Sequence, residues 1–335
     1  MNYDDDVYGS ITIEEPVLLN LMASATLERL HGVLQHGVSG LIGVTEPVTR
    51  FEHSVGAMLL VRRLGGSLAE QIAALLHDAS HTAFSHVMDY VFDGHDSQSY
   101  HDEKKEEFLA QTDTPDILAR HGYDWRDFLH EENFPLLEQP APRLCADRLD
   151  YFLRDAQGLG LATAEQIQSA LAHLVVGNGR IAANGRIAAN SLAAAQWLGY
   201  TFIAADDASW ANFREVGLYE LTAQAIRRGL EIGAIAEADI WGTDKPFWAR
   251  LHAHPDAQLH AALRLVSPDT GFAWDEDNPT FWVSTKLRAI DPDVVQADGQ
   301  LAPLSFLDPD FARHRAAYLH NKQGKWPMRV IPPHV

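Results

Sequence analysis

This chain of 335 residues predicts a mainly α-helical protein: a large helical body over 1–270, then a small α+β region over 271–335 packed on it. Three observations carry that expectation. Apolar residues recur at helical spacing through most of the chain before residue 266. Pro or Ser starts and Gly stops punctuate those stretches. From about 275 the texture changes to β-branched and aromatic runs, FWVSTKLRAI and MRVIP, separated by Asp- and Pro-rich loops.

In order, VYGSITIEE at 7–15 reads as a short strand or extended arm. Pro16 opens a helix through LLNLMASATLERLHGVLQHG, with Gly37 as its stop. The Gly- and Pro-rich residues 37–48 form a loop, and 51–64 a helix ending at Gly65-Gly66. Ser67-Leu-Ala-Glu70 is a capping box, in which each side chain satisfies a free backbone N–H. Leu68, Ile72, Leu75 and Leu76 then share one face and deliver His77-Asp78 at the helix end. A helix over 97–111 follows, capped by Ser97 or Ser99. The next runs over 142–157, with Pro142 at its first position. On that helix Asp147, Tyr151, Arg154 and Asp155 share one side, opposite Cys145, Leu149, Phe152 and Ala156, a mixture that suits a polar cavity. GRIAANGRIAAN at 179–190 is a tandem duplication, read as a lengthened hairpin. Residues 191–235 and 245–266 are helical, and a short helix lies near 309–319.

Composition narrows the function. The formal net charge of −20 opposes a general nucleic-acid surface, which needs a basic footprint, and equally an anionic membrane partner. A phosphate substrate would rely on local cations. The acidic N-terminus MNYDDDVYGS has no apolar run of the signal-peptide kind, and no stretch approaches a membrane span. A single cysteine, Cys145, excludes an internal disulfide and suits a cytoplasmic protein.

The stretch from Arg50 to His86 carries the chemistry. His53 stands in RFEHS, and His77, Asp78, His81 and His86 follow in ALLHDASHTAFSH. Asp147 comes later, in CADRLDYFLRD. Imidazole with carboxylate suits borderline divalent metals, and ligands from separate helices can converge inside a bundle. The pattern reads as a metal site for hydrolysis. His86 and Asp89 are neighbours on a helix by their spacing.

Together RFEHS, HDxxHxxFSH and ADRLDYFLRDA resemble the HD-domain phosphohydrolases. The closer likeness is to the branch with the SAM-and-HD-domain deoxynucleoside triphosphate triphosphohydrolases and bacterial dGTPase-like enzymes. The resemblance implies an HD helical bundle and one divalent metal, Mn, Fe, Ni, Co, Zn or Mg, on His53, His77, Asp78 and Asp147. It implies catalytic roles at the phosphate for His81, His86 and His101, with Asp89 supporting His86. Arg50 would touch phosphate, and Gln35, Tyr151 and Asp155 the sugar and its 3′-hydroxyl. The expected substrate is a nucleotide, in the nearest case a dNTP; a homo-oligomer is also expected. The alternatives are another HD phosphatase or phosphodiesterase, an oxygenase with a second metal on the extra histidines, and a nucleotide sensor without turnover. Ser80 stands where the family has a loop glycine, and Asp102 where it has Glu after its histidine.

Overall fold

Two strands open the chain, β1 (Asn2–Asp5) and β2 (Gly9–Thr12), as an antiparallel hairpin. The computed structural model describes residues 1–92, 98–177 and 185–333. Pro16 starts α1 (Pro16–Met22). The single helix expected up to Gly37 is broken, because Ser24 begins a new turn: its hydroxyl accepts from the Leu27 N–H at 3.2 Å, and the Asp113 carboxylate accepts from the Ala25 N–H at 2.7 Å. Side-chain acceptors, Ser24 from within the turn and Asp113 from 88 residues away, thus replace helical carbonyls. The remainder is α2 (Ala25–Glu28) and a 3-10 turn, Arg29–Gly32. Gly37 has φ +49°, and a Cβ there would lie 2.4 Å from the Phe84 carbonyl oxygen. The predicted loop beyond it holds a short helix, α3 (Val38–Leu41).

α4 (Arg50–Arg63) carries a reciprocal capping box between Thr49 and Glu52. The box expected before α5 (Leu68–Leu76) forms only by half. Ser67 accepts from the Glu70 N–H, but the Glu70 carboxylate accepts instead from the Leu136 N–H at 2.7 Å, pinning a distant loop to the helix. Short helices follow: α6 (Val87–Val91), α7 (Tyr100–Glu103), α8 (Lys105–Leu109) and α9 (Thr114–Arg120). Ser97, one of two expected caps for a 97–111 helix, lies outside the described residues. From Ser99 that helix is interrupted at Lys104, and the Ser99 hydroxyl donates to Glu103 rather than capping.

α10 (Ala146–Gly158) begins later than Pro142 predicts. Leu144 forms a β-bridge with Ile187, so the backbone before Ala146 is extended. After α11 (Ala164–Ala172), β3 (Leu174–Gly177) pairs antiparallel with β4 (Arg186–Ala189), which lies in the second copy of the duplication; the first copy, 179–184, lies outside the described residues. The long helical stretch is two helices, α12 (Leu192–Ala208) and α13 (Phe213–Glu231), and the next is also two, α14 (Asp244–Ala253) and α15 (Ala257–Leu265).

The last part adds β5 (Gly271–Trp274), β6 (Phe281–Val283), β7 (Asp293–Val295), β8 (Leu301–Pro303), α16 (Leu304–Leu307), α17 (Pro309–Lys322) and β9 (Trp326–Ile331). Three of its strands form a sheet in the order β5-β9-β6, and two join the earlier hairpin as β3-β4-β7-β8. Val283, Trp326 and Met328 are buried in one apolar cluster with residues of α6, α13 and α15, while α4, α5 and α10 share the largest core. The fold is mainly α with small sheets, as the sequence predicts. No described helix is long and apolar enough to cross a membrane.

Candidate metal centre and its cavity

His53 sits one turn into α4, His77 caps the end of α5 with Asp78 beside it, and Asp147 lies in the first turn of α10. Packing α4 against both other helices brings their donors together. His53 Nε2 is 3.1 Å from His77 Nε2 and 3.1 Å from Asp147 Oδ1. His77 Nε2 is 3.5 Å from Asp147 Oδ1 and 3.6 Å from Asp78 Oδ1, and His53 Nε2 is 3.6 Å from Asp78 Oδ2. Donors about 2.1 Å from a common centre lie roughly 3.0–3.4 Å apart for octahedral to tetrahedral angles.

The tautomers make a cation the natural partner. His77 Nδ1 donates to the Ala74 carbonyl at 2.7 Å, and His53 Nδ1 to Asp150 Oδ2 at 2.8 Å. With Nδ1 donating in both rings, the two Nε2 atoms face each other, a contact that needs a cation between them, either a proton or a metal ion. Burial resists protonation of these rings, but the neighbouring carboxylates prevail. Asp78 and Asp147 raise His77 to about 10, and Asp147 and Asp150 raise His53. Burial likewise opposes ionisation of Asp147, yet His53 and His77 hold it far below the usual carboxylate range. For Asp78 the Arg50 guanidinium, 2.6 Å away, does the same. The donor set fits a divalent metal.

The HD-domain family model matches residues 50–155, the span that holds all four of these residues. The metal-dependent phosphohydrolase cns2 of Cordyceps militaris is 38% identical over 94% of this chain and 91% of its own length. The chain belongs to the HD-domain metal-dependent phosphohydrolases. A deoxynucleoside triphosphate triphosphohydrolase of Danio rerio is 31% identical over only 27% of this chain and 17% of its own length. In fold, a phosphohydrolase from Bacteroides thetaiotaomicron matches with a TM-score of 0.69 at 18% identity, over 98% of this chain and 99% of that one.

In this HD enzyme the metal-type cluster borders a cavity of about 360 Å³. Of the residues singled out in the sequence, Gln35, Arg50, His77, Asp78, His81, His86, His101, Asp147 and Tyr151 line it. His53 lies behind the wall. Asp89 is also set back, accepting from His86 Nδ1 at 3.0 Å and from the Tyr100 N–H at 3.1 Å. Asp155, expected at the sugar, does not line the cavity. One of its oxygens faces His36 Nε2 at 2.9 Å and the other accepts from Trp210 Nε1 at 2.7 Å. The polar side of α10 is turned into the protein, with Arg154 and Asp155 both buried.

His81, His86 and His101 form a second cluster, one ring nitrogen of each within 4.8 Å of the others. His81 stacks on His101 with centroids 3.7 Å apart, and its Nδ1 is buried without a hydrogen-bond partner among the described residues. Burial, then Arg50, drives His81 well below its ordinary value. Burial, reinforced by His86, brings His101 down to about 3. Burial also lowers His86, against the pull of Asp89.

Several residues went unread in the sequence. Asp150, three positions after Asp147, is buried and bridges His53 to Arg154; its i, i+4 spacing to Arg154 was an available signal. His36, Trp210 and Glu215 also line the cavity. Lys286 and Arg288 reach the cavity from the segment between β6 and β7, and no motif marks them. Among the described residues neither cation lies within ion-pair distance of a carboxylate. Arg288 is held by Gln98, the Lys286 carbonyl and, through its backbone N–H, Asp206.

Proposed function

We propose that this metal-dependent phosphohydrolase acts on nucleotides, with one divalent metal held by His53, His77, Asp78 and Asp147. A metal there would supply a more acidic water and a polarised phosphoryl oxygen. One observation carries the nucleotide reading: a single cavity is lined by the metal-type cluster, by the cations Arg50, Arg148, Lys286 and Arg288, and by Tyr151 and Trp210. The aromatic rings meet edge to face, 4.7 Å between centroids. Phosphate would lie at the cations, and a sugar and base toward the aromatic wall.

The chain's own groups then divide the work. Arg50, fixed by Asp78 and by Ser85 Oγ at 3.0 Å, neutralises phosphate charge. His86, oriented by Asp89, is the proton donor to the leaving oxygen. Burial favours its neutral form, and an arriving phosphate anion favours the charged form needed for that step. Gln35, expected at the sugar together with Tyr151 and Asp155, keeps that contact while Asp155 loses it, because the Gln35 Oε1 is buried in the cavity wall with no partner among the described residues. The nearest substrate class is a deoxynucleoside triphosphate, and a cytoplasmic homo-oligomer is the expected setting.

A second metal on His81, His86 and His101 is the competing reading, favoured by three clustered rings of lowered basicity. Metal content per chain separates the two. The deciding experiment is a screen of nucleotides with Mn, Co, Ni, Fe and Mg, with products resolved by chromatography. Release of tripolyphosphate, pyrophosphate or orthophosphate names the bond. No turnover of any nucleotide, with turnover of simple phosphoesters, overturns the nucleotide reading.

A further inference from the structure

A line of buried charge runs from the N-terminal hairpin to the metal-type cluster. Asp5, at the end of β1, accepts from Arg154 Nη2 at 2.7 Å. Arg154 Nε donates to Asp150 Oδ2 at 2.9 Å. The same Asp150 oxygen accepts from His53 Nδ1 at 2.8 Å. Relative exposures are 8% for Asp5, 8% for Arg154, 0% for Asp150 and 0% for His53. The backbone makes room for this line: a Cβ at Gly56, on α4, would stand 2.0 Å from Asp150 Oδ1 and 2.1 Å from Arg154 Nη2. Asp5 is further fixed by the Val7 and Tyr8 N–H groups, at 2.8 and 3.0 Å to its other oxygen.

We propose that Asp5 is a positioning residue for the metal centre, acting through Arg154 and Asp150 on His53. The inference rests on the reading of His53 as a metal ligand. Its physical basis is a charge count. Asp150 orients His53 and makes its ring a better donor, as an outer carboxylate does. Arg154 alone would cancel that effect, because one cation beside one carboxylate leaves no net charge behind the ring. Asp5 supplies the second carboxylate, so Asp5, Arg154 and Asp150 together carry one net negative charge. In a buried setting such charges are weakly screened.

The count makes a prediction that simple loss of structure does not. Asp5→Asn removes the net charge and should weaken Mn²⁺ binding by about tenfold, the lower end of the range for outer-shell partners. Adding Arg154→Gln to Asp5→Asn restores one net negative charge and should recover most of the lost affinity. Asp5→Glu keeps the charge and should bind nearly as the parent does. Affinity is read by titrating metal-stripped full-length protein with Mn²⁺ and following free Mn²⁺ by electron paramagnetic resonance. Melting of the same metal-free samples shows whether each variant folds. If Asp5→Asn binds Mn²⁺ as tightly as the parent, or if the double variant binds no better than Asp5→Asn, the proposal fails. A His53→Ala control separates this from failure of the metal assignment: if it binds like the parent, His53 is not a ligand at all.

Discussion

Asp147 is the residue on which the metal assignment turns, because it is the side chain by which α10 would join His53 and His77 on the metal. Asp147→Ala should lose bound metal and activity while the fold survives, since its side chain is a quarter exposed and lies at the rim of the core. Metal content of the purified variant checks this, and parental stoichiometry removes Asp147 from the site. His86→Ala should keep metal but turn over more slowly by about 10²-fold, the usual scale of a lost general acid; single-turnover rates at saturating nucleotide measure it, and an unchanged rate transfers the role to His81 or His101. Gln35 is tested with a deoxynucleotide and its 2′,3′-dideoxy analogue. The parent should discriminate and Gln35→Ala should not, because a site built to pair a hydroxyl rejects its absence. His53, His77, Asp78 and Asp147 could be named from motif and residue chemistry. The roles of Asp155 and Asp150 could not: a helical wheel marks them as polar but does not say whether water or a second buried group lies opposite.

At the scale of elements, His36 ties the segment before α3 to α10 and α13. It lies 2.9 Å from Asp155 on one side and 3.6 Å from Glu215 on the other, and the Tyr219 hydroxyl donates to its carbonyl at 3.0 Å. Burial disfavours its charge, but Asp155 and Glu215 overcome that and raise it to about 10. In the unfolded chain it titrates near 6.5. A histidine raised on folding contributes stability fully present below about 6.5 and lost as pH rises through about 10. Parent stability should therefore fall between these values by an amount on the order of a few kcal/mol, and His36→Gln should flatten this fall. Denaturant melts at intervals across the window check it; equal slopes for the two proteins refute it. The helices were legible where caps and periodicity agreed, as at Pro16 and Ser67. They were misread where a remote hydrogen-bond partner intervened: the Asp113 carboxylate accepting at the start of α2, and the Leu136 N–H donating to Glu70 and drawing it out of its box.

For the whole molecule, the net charge of −20 repels the anion the enzyme hydrolyses, so capture depends on a metal together with the individual cations that line the cavity. Two of these, Lys286 and Arg288, come from beyond the HD-matched span. Arg288→Ala should raise KM several-fold with a smaller change in kcat, because a group that binds ground and transition states alike affects KM. Lys286→Ala should act in the same direction and reduce the dependence of kcat/KM on salt. Steady-state kinetics at two ionic strengths measure both, and parental KM for the two variants removes the β6–β7 segment from substrate binding.

By itself the sequence determined the mainly helical class, most helix positions and the motif residues, His53, His77, Asp78 and Asp147, proposed here as metal ligands. These follow from information carried within a few turns of chain: helical periodicity, caps, and side chains whose chemistry suits a divalent ion. Only the tertiary structure decided that Asp5 stands behind His53, that Asp155 is spent on His36 and Trp210, and that Lys286 and Arg288 share the cavity with Arg50. Those pairings join residues 119 apart for His36 and Asp155 and 149 apart for Asp5 and Arg154. Local periodicity cannot encode such encounters, because they depend on how whole helices and strands pack.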